Sequence, residues 1–402
     1  WVEVLRFIRE NMDMAEEGLV LDAVKRLTGS GFQAVLAGGC VRDEILGRIP
    51  KDLDLATNAT PEQIESLFPR HVSVGKSFGV IRVLADVSQK SEDQSEQDIE
   101  IASFRNDGLY VDGRRPLSVT LKSSPQEDAA RRDFTINALF WDPSKGEILD
   151  FVDGLKDLRG KVLRTVGEPE RRFAEDFLRV LRLFRFSCEL GFSIEQKTLA
   201  AALGHAGQLK LISRERIRDE LEKMLRCSDG RGLPAEFESQ VLSVILGRET
   251  HIQFALGQAL NQRFDELGLT LDQSGLEVSQ SWWVWLKILS WSDEQSLERI
   301  QDLRLSKSAL KAISRAFGIL NAPKKFAGFS LGQQREQLQF SEVRIALCLM
   351  NETWSDELLR WWVKVNQSMP SPLKSAADFP ELEGLALGQA IKNAFWQQLE
   401  KL

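Results

Sequence analysis

AVLAGGCVRDEILGRIPKDLDLAT, residues 34–57, changes character three times in a short stretch. Phe32–Ala37 is apolar and reads as a short strand. Gly38-Gly39 then opens a helix over Val41–Leu46, and Lys51–Ala56 reads as a second strand by its alternation. Bare glycine N–H groups between a strand and a helix can approach a phosphate closely, although a Gly-Gly turn is also an ordinary connection. Asp52 and Asp54 occupy i and i+2 of the second strand, so both carboxylates leave one face, about 7 Å apart by strand rise. Such a pair on a mostly apolar strand makes a poor surface but a good site for a hard cation such as Mg²⁺. The competing reading is a solvent-facing edge.

Working outward, a helix over Ala15–Leu27 precedes this stretch and ends at Gly29 and Gly31. After it come a helix over Pro61–Leu67 capped by Thr60, then strands over Gly79–Leu84 and Asp98–Phe104. The polar run SQKSEDQSEQ (88–97) between those strands reads as a solvent loop. Thr135–Trp141 and Ile148–Val152 complete an α+β unit. From about Glu168 strand signals fade, and helical periodicity runs through 171–190, 213–226, 235–246, 281–291, 294–320, 341–350, 354–366 and 385–402. No repeat at a fixed period is present. The expected architecture is an α/β head on a long helical body.

Composition narrows the function classes. In 402 residues, Lys and Arg number 52 and Asp and Glu 59, a net charge of −7 that on average disfavours nucleic acid. Locally the balance reverses. Between Arg159 and Arg185 stand Arg159, Lys161, Arg164, Arg171, Arg172, Arg179, Arg182 and Arg185, against Glu168, Glu170, Glu175 and Asp176. A basic cleft in an acidic protein still binds phosphates, because the local field decides. Four scattered cysteines without CxxC spacing argue against zinc and disulfides and fit a reducing cytosol; three separated histidines argue against a histidine metal site. The most apolar window, Trp282–Trp291, is about half a bilayer span and carries Lys287, so a cytoplasmic protein without membrane contact is expected.

Two further stretches carry candidate chemistry. In RRFAEDFLRVLRLFRF (171–186), Phe173, Phe177, Val180, Leu181 and Phe184 share one helical arc. Asp176, Arg179, Arg182 and Arg185 form an i+3 ridge, with Asp176 and Arg179 close enough for a weak ion pair. Arg182 and Arg185 have no acid at i−4, which leaves their charge to another partner. In RRDFTINAL (131–139), Arg131 and Arg132 beside Asp133 could clamp a triphosphate and hold a ribose hydroxyl, or form a structural Arg–Asp pair.

GGCVRD (38–43), DLD (52–54), EIASFR (100–105), YVDGRRP (110–116), RRDFTINAL (131–139), DGLKDLRGKVLRTVG (153–167), RFAEDFLRVLRLFRF (172–186) and SRERIRDELEKML (213–225) follow in order. Together they resemble the successive motifs of class II tRNA nucleotidyltransferases, the CCA-adding enzymes and their bacterial poly(A) polymerase relatives, over roughly residues 30–225. The resemblance implies an α+β fold class: a nucleotidyltransferase head (1–167), a helical neck (168–230), a helical body (231–320) and a helical tail (321–402) that meets tRNA. It implies Asp52 and Asp54 as catalytic Mg²⁺ ligands, with Glu100 a possible third acid. Gly38, Gly39 and Arg42 match positions around the triphosphate. Arg132 matches a nucleotide contact, Asp133 lies near the sugar, and Arg182 and Arg185 contact the nucleotide. Asp176 and Arg179 match the pair that reads the base.

The physics of that pair agrees. Cytosine and adenine both place an exocyclic amino donor beside a ring-nitrogen acceptor, complementary to a carboxylate beside a guanidinium. Guanine and uracil reverse the order and leave both protein groups unpaired, a difference of about 1–3 kcal/mol. The implied substrates are CTP, ATP and the tRNA 3′ end, with no obligate protein partner evident. By the resemblance, the intact loop FRNDGLYVDGRRP implies adenylate addition, since relatives that stop after two cytidines have it shortened, and SVGKSFGVIRV lacks the arginine pair of bacterial poly(A) polymerases; the expected order is complete CCA addition, then A-addition alone, then poly(A) synthesis. A catalytically idle RNA-binding relative is the non-enzyme alternative.

Overall fold

The computed structural model describes residues 14–50, 52–73, 76–84, 98–108, 110, 113, 116, 118–121, 124–226 and 236–246, with 304, 307, 310, 311, 314 and 315. In chain order the elements are α1 (Met14–Gly29), β1 (Ala34–Ala37), α2 (Gly39–Ile45), β2 (Asp54–Thr57), α3 (Pro61–Leu67), β3 (His71–Val72), β4 (Val80–Leu84) and β5 (Asp98–Ser103). They continue with β6 (Arg105–Asp107), β7 (Val119–Leu121), α4 (Pro125–Ala130), β8 (Leu139–Asp142), β9 (Glu147–Asp150), α5 (Gly154–Gly160) and β10 (Val162–Leu163). The helical part follows as α6 (Pro169–Glu175), α7 (Leu178–Leu190), β11 (Ser193–Ile194), α8 (Gln196–Gly204), α9 (Arg214–Arg226) and α10 (Ser243–Leu246). The chain forms two compact units, Trp1–Ile212 with Ser239–Ile245, and Ser213–Glu238 with Leu246–Leu402.

In the first unit a seven-stranded mixed sheet runs β3-β4-β5-β2-β1-β8-β9. Within this sheet, among the described residues, only β2 and β5 pair in parallel, which requires the crossover through α3, β3 and β4. All four residues of β1 are buried, as a strand covered on both faces should be. Val35, Ala37, Ala56, Phe104, Ala129, Ala138, Phe140 and Val166 form one core cluster, with Phe104 edge-on to Phe140. α3 begins at a complete capping box, Thr60 accepting from the Gln63 N–H while Gln63 accepts from Thr60 N–H.

Several elements differ from the sequence expectation. The second strand begins at Asp54, not Lys51. β1 stops at Ala37 because Gly38 takes φ +81 and turns the chain into α2, leaving residues before Asp54 without a ladder partner on that side. Thr135–Asn137 forms a 3₁₀ turn before β8. The Thr135 N–H is taken by Arg164 C=O, and its hydroxyl donates to Asp157. The single helix expected over 171–190 is two helices. Asp176 is extended, its carboxylate accepts from Leu178 N–H at 3.1 Å, and Phe177 N–H donates to Gly113 C=O. Asp side chains compete with the helix for backbone donors in this way. The β6–β7 hairpin and helices α4, α5 and α8 were not foreseen.

Helices α9 and 237–246 occur where periodicity placed them, the latter with a π-helical first turn. The loop 88–97, the expected helices over 281–291, 341–350, 354–366 and 385–402, and most of 294–320 lie outside the described residues. Cys40 and Cys188 are buried and in no disulfide. Among the described residues no helix is long and apolar enough to cross a membrane.

Candidate active site

Gly38 closes β1 with its N–H on Leu139 C=O at 2.9 Å. A Cβ there would stand 2.7 Å from Arg132 Nη1, so glycine is needed both for the positive φ and for the close approach of that guanidinium. Arg132 lies over the Phe140 ring at 4.9 Å, donates from Nη1 to Asn137 C=O and from Nε and Nη2 to Asp128. Gly39 is the first residue of α2, and a Cβ on it would meet only Arg42 Nη2, at an ordinary 3.7 Å. Arg42 is buried, 5% exposed. Its Nε donates to Asp43 at 2.8 Å and its Nη1 to Asn137 Oδ1 at 2.6 Å, and its guanidinium lies over the Phe186 ring.

At the start of β2, Asp54 stands directly across from Glu100 of β5. Asp54 and Asp52 both reach solvent. Crowding by surrounding protein, then the Glu100 and Asp52 carboxylates, push the Asp54 carboxyl up to about 6, with Arg132 opposing them. Asp52 therefore neighbours Asp54 electrostatically although it precedes the strand rather than sharing its pleat. Glu100 gives an oxygen to Arg82 at 3.2 Å. Among the described residues no group of three His, Cys, Asp or Glu side chains is close enough to hold a metal ion, so Glu100 does not complete a three-acid cluster.

Arg131 and Arg132 do not pair with the adjacent Asp133. Both bind Asp128 of α4, whose carboxylate is held below its usual range: burial opposes this, and the two guanidiniums outweigh it. Asp133 instead receives Arg182 of α7, from Nε at 2.8 Å and Nη2 at 2.5 Å, while Phe134 N–H and Asn137 Nδ2 donate to its other oxygen. Burial would raise this carboxyl, yet Arg182, Arg179 and the Phe134 N–H drive it well below the carboxylate range.

Asp176 and Arg179 form no side-chain ion pair with each other. With the helix broken at Asp176, Arg179 turns to Glu175: its Nη1 donates to Glu175 and to Arg172 C=O, both at 2.8 Å, and Nη2 to Arg131 C=O at 3.3 Å. Arg185, with no acid at i−4, pairs one turn onward with Glu189 at 2.8 Å. The Phe186 ring lies under Arg185 at 4.0 Å and under Arg182 and Arg42 at 5.3 Å. The hinge between α6 and α7 is packed by distant residues. Phe177 stacks on His205, and a Cβ on Gly113 would collide with the Phe177 ring. Tyr110 donates to Asp107, and burial with that bond pushes its hydroxyl up to about 12.

The structure thus gathers Gly38, Arg42, Arg132, Asp133 and Arg182, through Asn137, into one hydrogen-bonded set, and it brings Asp52 and Asp54 close enough to interact by charge with each other and Asp54 with Arg132. Sequence reasoning missed Asp128, Asn137, Glu175 and Phe186. Glu175 was legible as an acid at i−4 from Arg179. Asn137 stands four residues from Asp133 and Phe186 four from Arg182, but the contact of each with Arg42 crosses the fold, and no local spacing announces it.

Residues 34–164 match the family described as Poly A polymerase head domain, and 191–234 match a family described as a probable RNA and SrmB-binding site of polymerase A. The chain is 36% identical to a CCA-adding enzyme of Leuconostoc mesenteroides over 77% of this chain and 72% of that protein. It is 44% identical to one of Enterococcus faecalis over 53% of this chain and 50% of that protein, so it spans about half of that relative. The crystal structure of the Bacillus stearothermophilus CCA-adding enzyme in complex with CTP superposes with TM-score 0.64 at 25% identity, covering 96% of this chain and 93% of that one. On a relative so similar over most of both lengths, and on a head-domain match that spans Gly38 to Asp133, the chain belongs to the CCA-adding enzyme family.

Proposed function

We propose that this chain is a template-independent nucleotidyltransferase that joins CMP and AMP, from CTP and ATP, to the 3′ end of tRNA and releases pyrophosphate. What carries the reading is the meeting, in one folded unit, of the Gly38–Arg42 turn, the Asp52–Asp54 acids, Asp133 and the arginine-bearing α6–α7 hinge. In the reaction the tRNA 3′-hydroxyl attacks the α-phosphorus in line. Asp52 and Asp54 fit a divalent cation, since two solvent-reaching carboxylates crowd one another there; bound Mg²⁺ would neutralise phosphate charge and acidify the attacking hydroxyl. Arg42 and Arg132 grip the triphosphate. Arg182, fixed by Asp133, and Arg185 border the nucleotide, and Asp133 lies near the sugar.

Asp176 accepts from the exocyclic amino group of cytosine or adenine, and Arg179 donates to the ring nitrogen. Glu175 and two carbonyls hold the Arg179 guanidinium from behind, so its direction is set before the base arrives. Along the chain we assign a head over 1–167, a neck over 168–230, a body over 231–320 and a tail over 321–402 that meets tRNA in the cytoplasm. Transcripts ending before CCA, after C and after CC, offered CTP and ATP separately, test the reading. Extension of all three by the cognate nucleotide is expected. Extension of only the last would leave an A-adding enzyme, a long adenylate tail a poly(A) polymerase, and no extension would refute the activity.

A further inference from the structure

Arg42 and Arg182 come from different helices, and the link between them passes through one uncharged side chain. Asn137, 7% exposed in the 3₁₀ turn before β8, accepts from Arg42 Nη1 at 2.6 Å and donates from Nδ2 to Asp133 Oδ1 at 3.3 Å. Asp133 in turn receives Arg182. This orientation of the amide is the one in which both contacts pair a donor with an acceptor. Asp in its place would set a carboxylate against Asp133, and an apolar residue would take this acceptor from Arg42 Nη1 and one of two donors from Asp133 Oδ1. The same two arginines also rest on one ring, Phe186, which is edge-on to Phe134 beside Asp133. An amide bridge on one side and an aromatic face on the other thus hold Arg42 to α7.

We infer that Asn137 is a positioning residue that fixes the Arg42 guanidinium relative to the Asp133–Arg182 pair, so that the triphosphate end and the sugar end of the nucleotide site keep one spacing. The inference rests on the reading of Arg42 as a triphosphate ligand. It makes the site respond as a unit: a fault at Asn137 weakens CTP and ATP alike and leaves base choice, set at Asp176 and Arg179, intact.

Steady-state kinetics with CTP on a transcript lacking CCA and with ATP on one ending in CC test this, for wild type, Asn137→Ala, Asn137→Asp and Phe186→Leu, each with a thermal melt. Loss of a charge-assisted hydrogen bond predicts that Asn137→Ala raises KM for both nucleotides roughly tenfold to a hundredfold, with kcat changed much less and preference over UTP and GTP retained. Asn137→Asp should be worse than Asn137→Ala, because it keeps the Arg42 contact but repels Asp133. Phe186→Leu keeps apolar volume, removes the π face and should raise KM about threefold to thirtyfold. Wild-type KM values in Asn137→Ala, whatever its melting temperature, would overturn the inference, as would full activity of Asn137→Asp or a loss confined to kcat. If wild type extends no transcript, the functional reading fails separately. Calorimetric binding of Mg–CTP then decides the point, with weaker binding by Asn137→Ala supporting the bridge and equal binding refuting it.

Discussion

Glu175 holds Arg179 of the proposed base-reading pair. Its side chain is 12% exposed and lies against Arg172 and Arg179, both largely buried, and against the exposed Arg171. Removing one partner of a buried charge group leaves the others uncompensated, which costs about 3–5 kcal/mol. Glu175→Ala should therefore lower the melting temperature by many degrees and release Arg179, so that discrimination against UTP and GTP falls with stability. Asp176→Ala separates the two effects. It removes the bond from Leu178 N–H, worth about 1 kcal/mol, yet should blur nucleotide choice by roughly tenfold to a hundredfold; misincorporation assays with each triphosphate alone check it, and unchanged choice would sink the base-reading role. Asp54→Asn should abolish addition while stabilising the metal-free protein by about 1 kcal/mol, since it takes one charge from a crowded set of carboxylates that still reach solvent. A melt in chelator that shifts downward instead would contradict that crowding.

At the scale of elements, the hinge between α6 and α7 shows what periodicity can and cannot convey. Of the legible apolar stripe Phe173, Phe177, Val180, Leu181 and Phe184, four side chains are fully buried, and Phe177, at the break, is half-buried. The break was not legible, because Gly113 C=O, from a loop far upstream, takes the Phe177 N–H and the Asp176 carboxylate takes that of Leu178. The same reason hid the start of β2: its ladder partner ends at a glycine whose φ only the folded turn reveals. Capping chemistry was readable at Thr60, where a polar cap precedes proline, and the equivalent box at Ser124 and Glu127 was there to be read. Gly113 is the element-level test. Its φ is +65 and its missing Cβ makes room for the Phe177 ring, so alanine meets both backbone strain, about 1–2 kcal/mol, and a collision. Gly113→Ala should leave the sheet intact, move the hinge and slow nucleotide addition about tenfold. Wild-type rates in this variant would show that the loop contact does not set the hinge.

For the molecule as a whole, the order of motifs along the chain disclosed the α+β head and the family, while its ion pairing had to be seen in three dimensions. A run of eight basic residues suggested a cleft left positive. In the fold, Arg172, Arg179 and Arg185 are buried against acids and carbonyls, and Arg182 is bound to Asp133. Arg131 and Arg132 share Asp128 in the same manner. This arrangement fixes how the folded unit responds to acid. Asp128 and Asp133 both titrate below their ordinary range in the folded state. A carboxylate depressed by folding contributes stability that is fully present above its unfolded pKa, about 4, and is lost as pH falls through the folded value. Melting temperature should accordingly rise slightly from pH 7.5 to 5, as the raised Asp54 carboxyl takes up its proton and sheds its cost, and drop steeply below about pH 4, where Asp128 and Asp133 dominate. Asp133→Asn, which keeps the shape but not the charge that holds Arg182, should be destabilised by about 2–4 kcal/mol at neutral pH and lose less on acidification, so that the two curves converge near pH 2. Parallel curves for wild type and Asp133→Asn across this range would mean that Asp133 is not the acid-sensitive tie between α7 and the sheet.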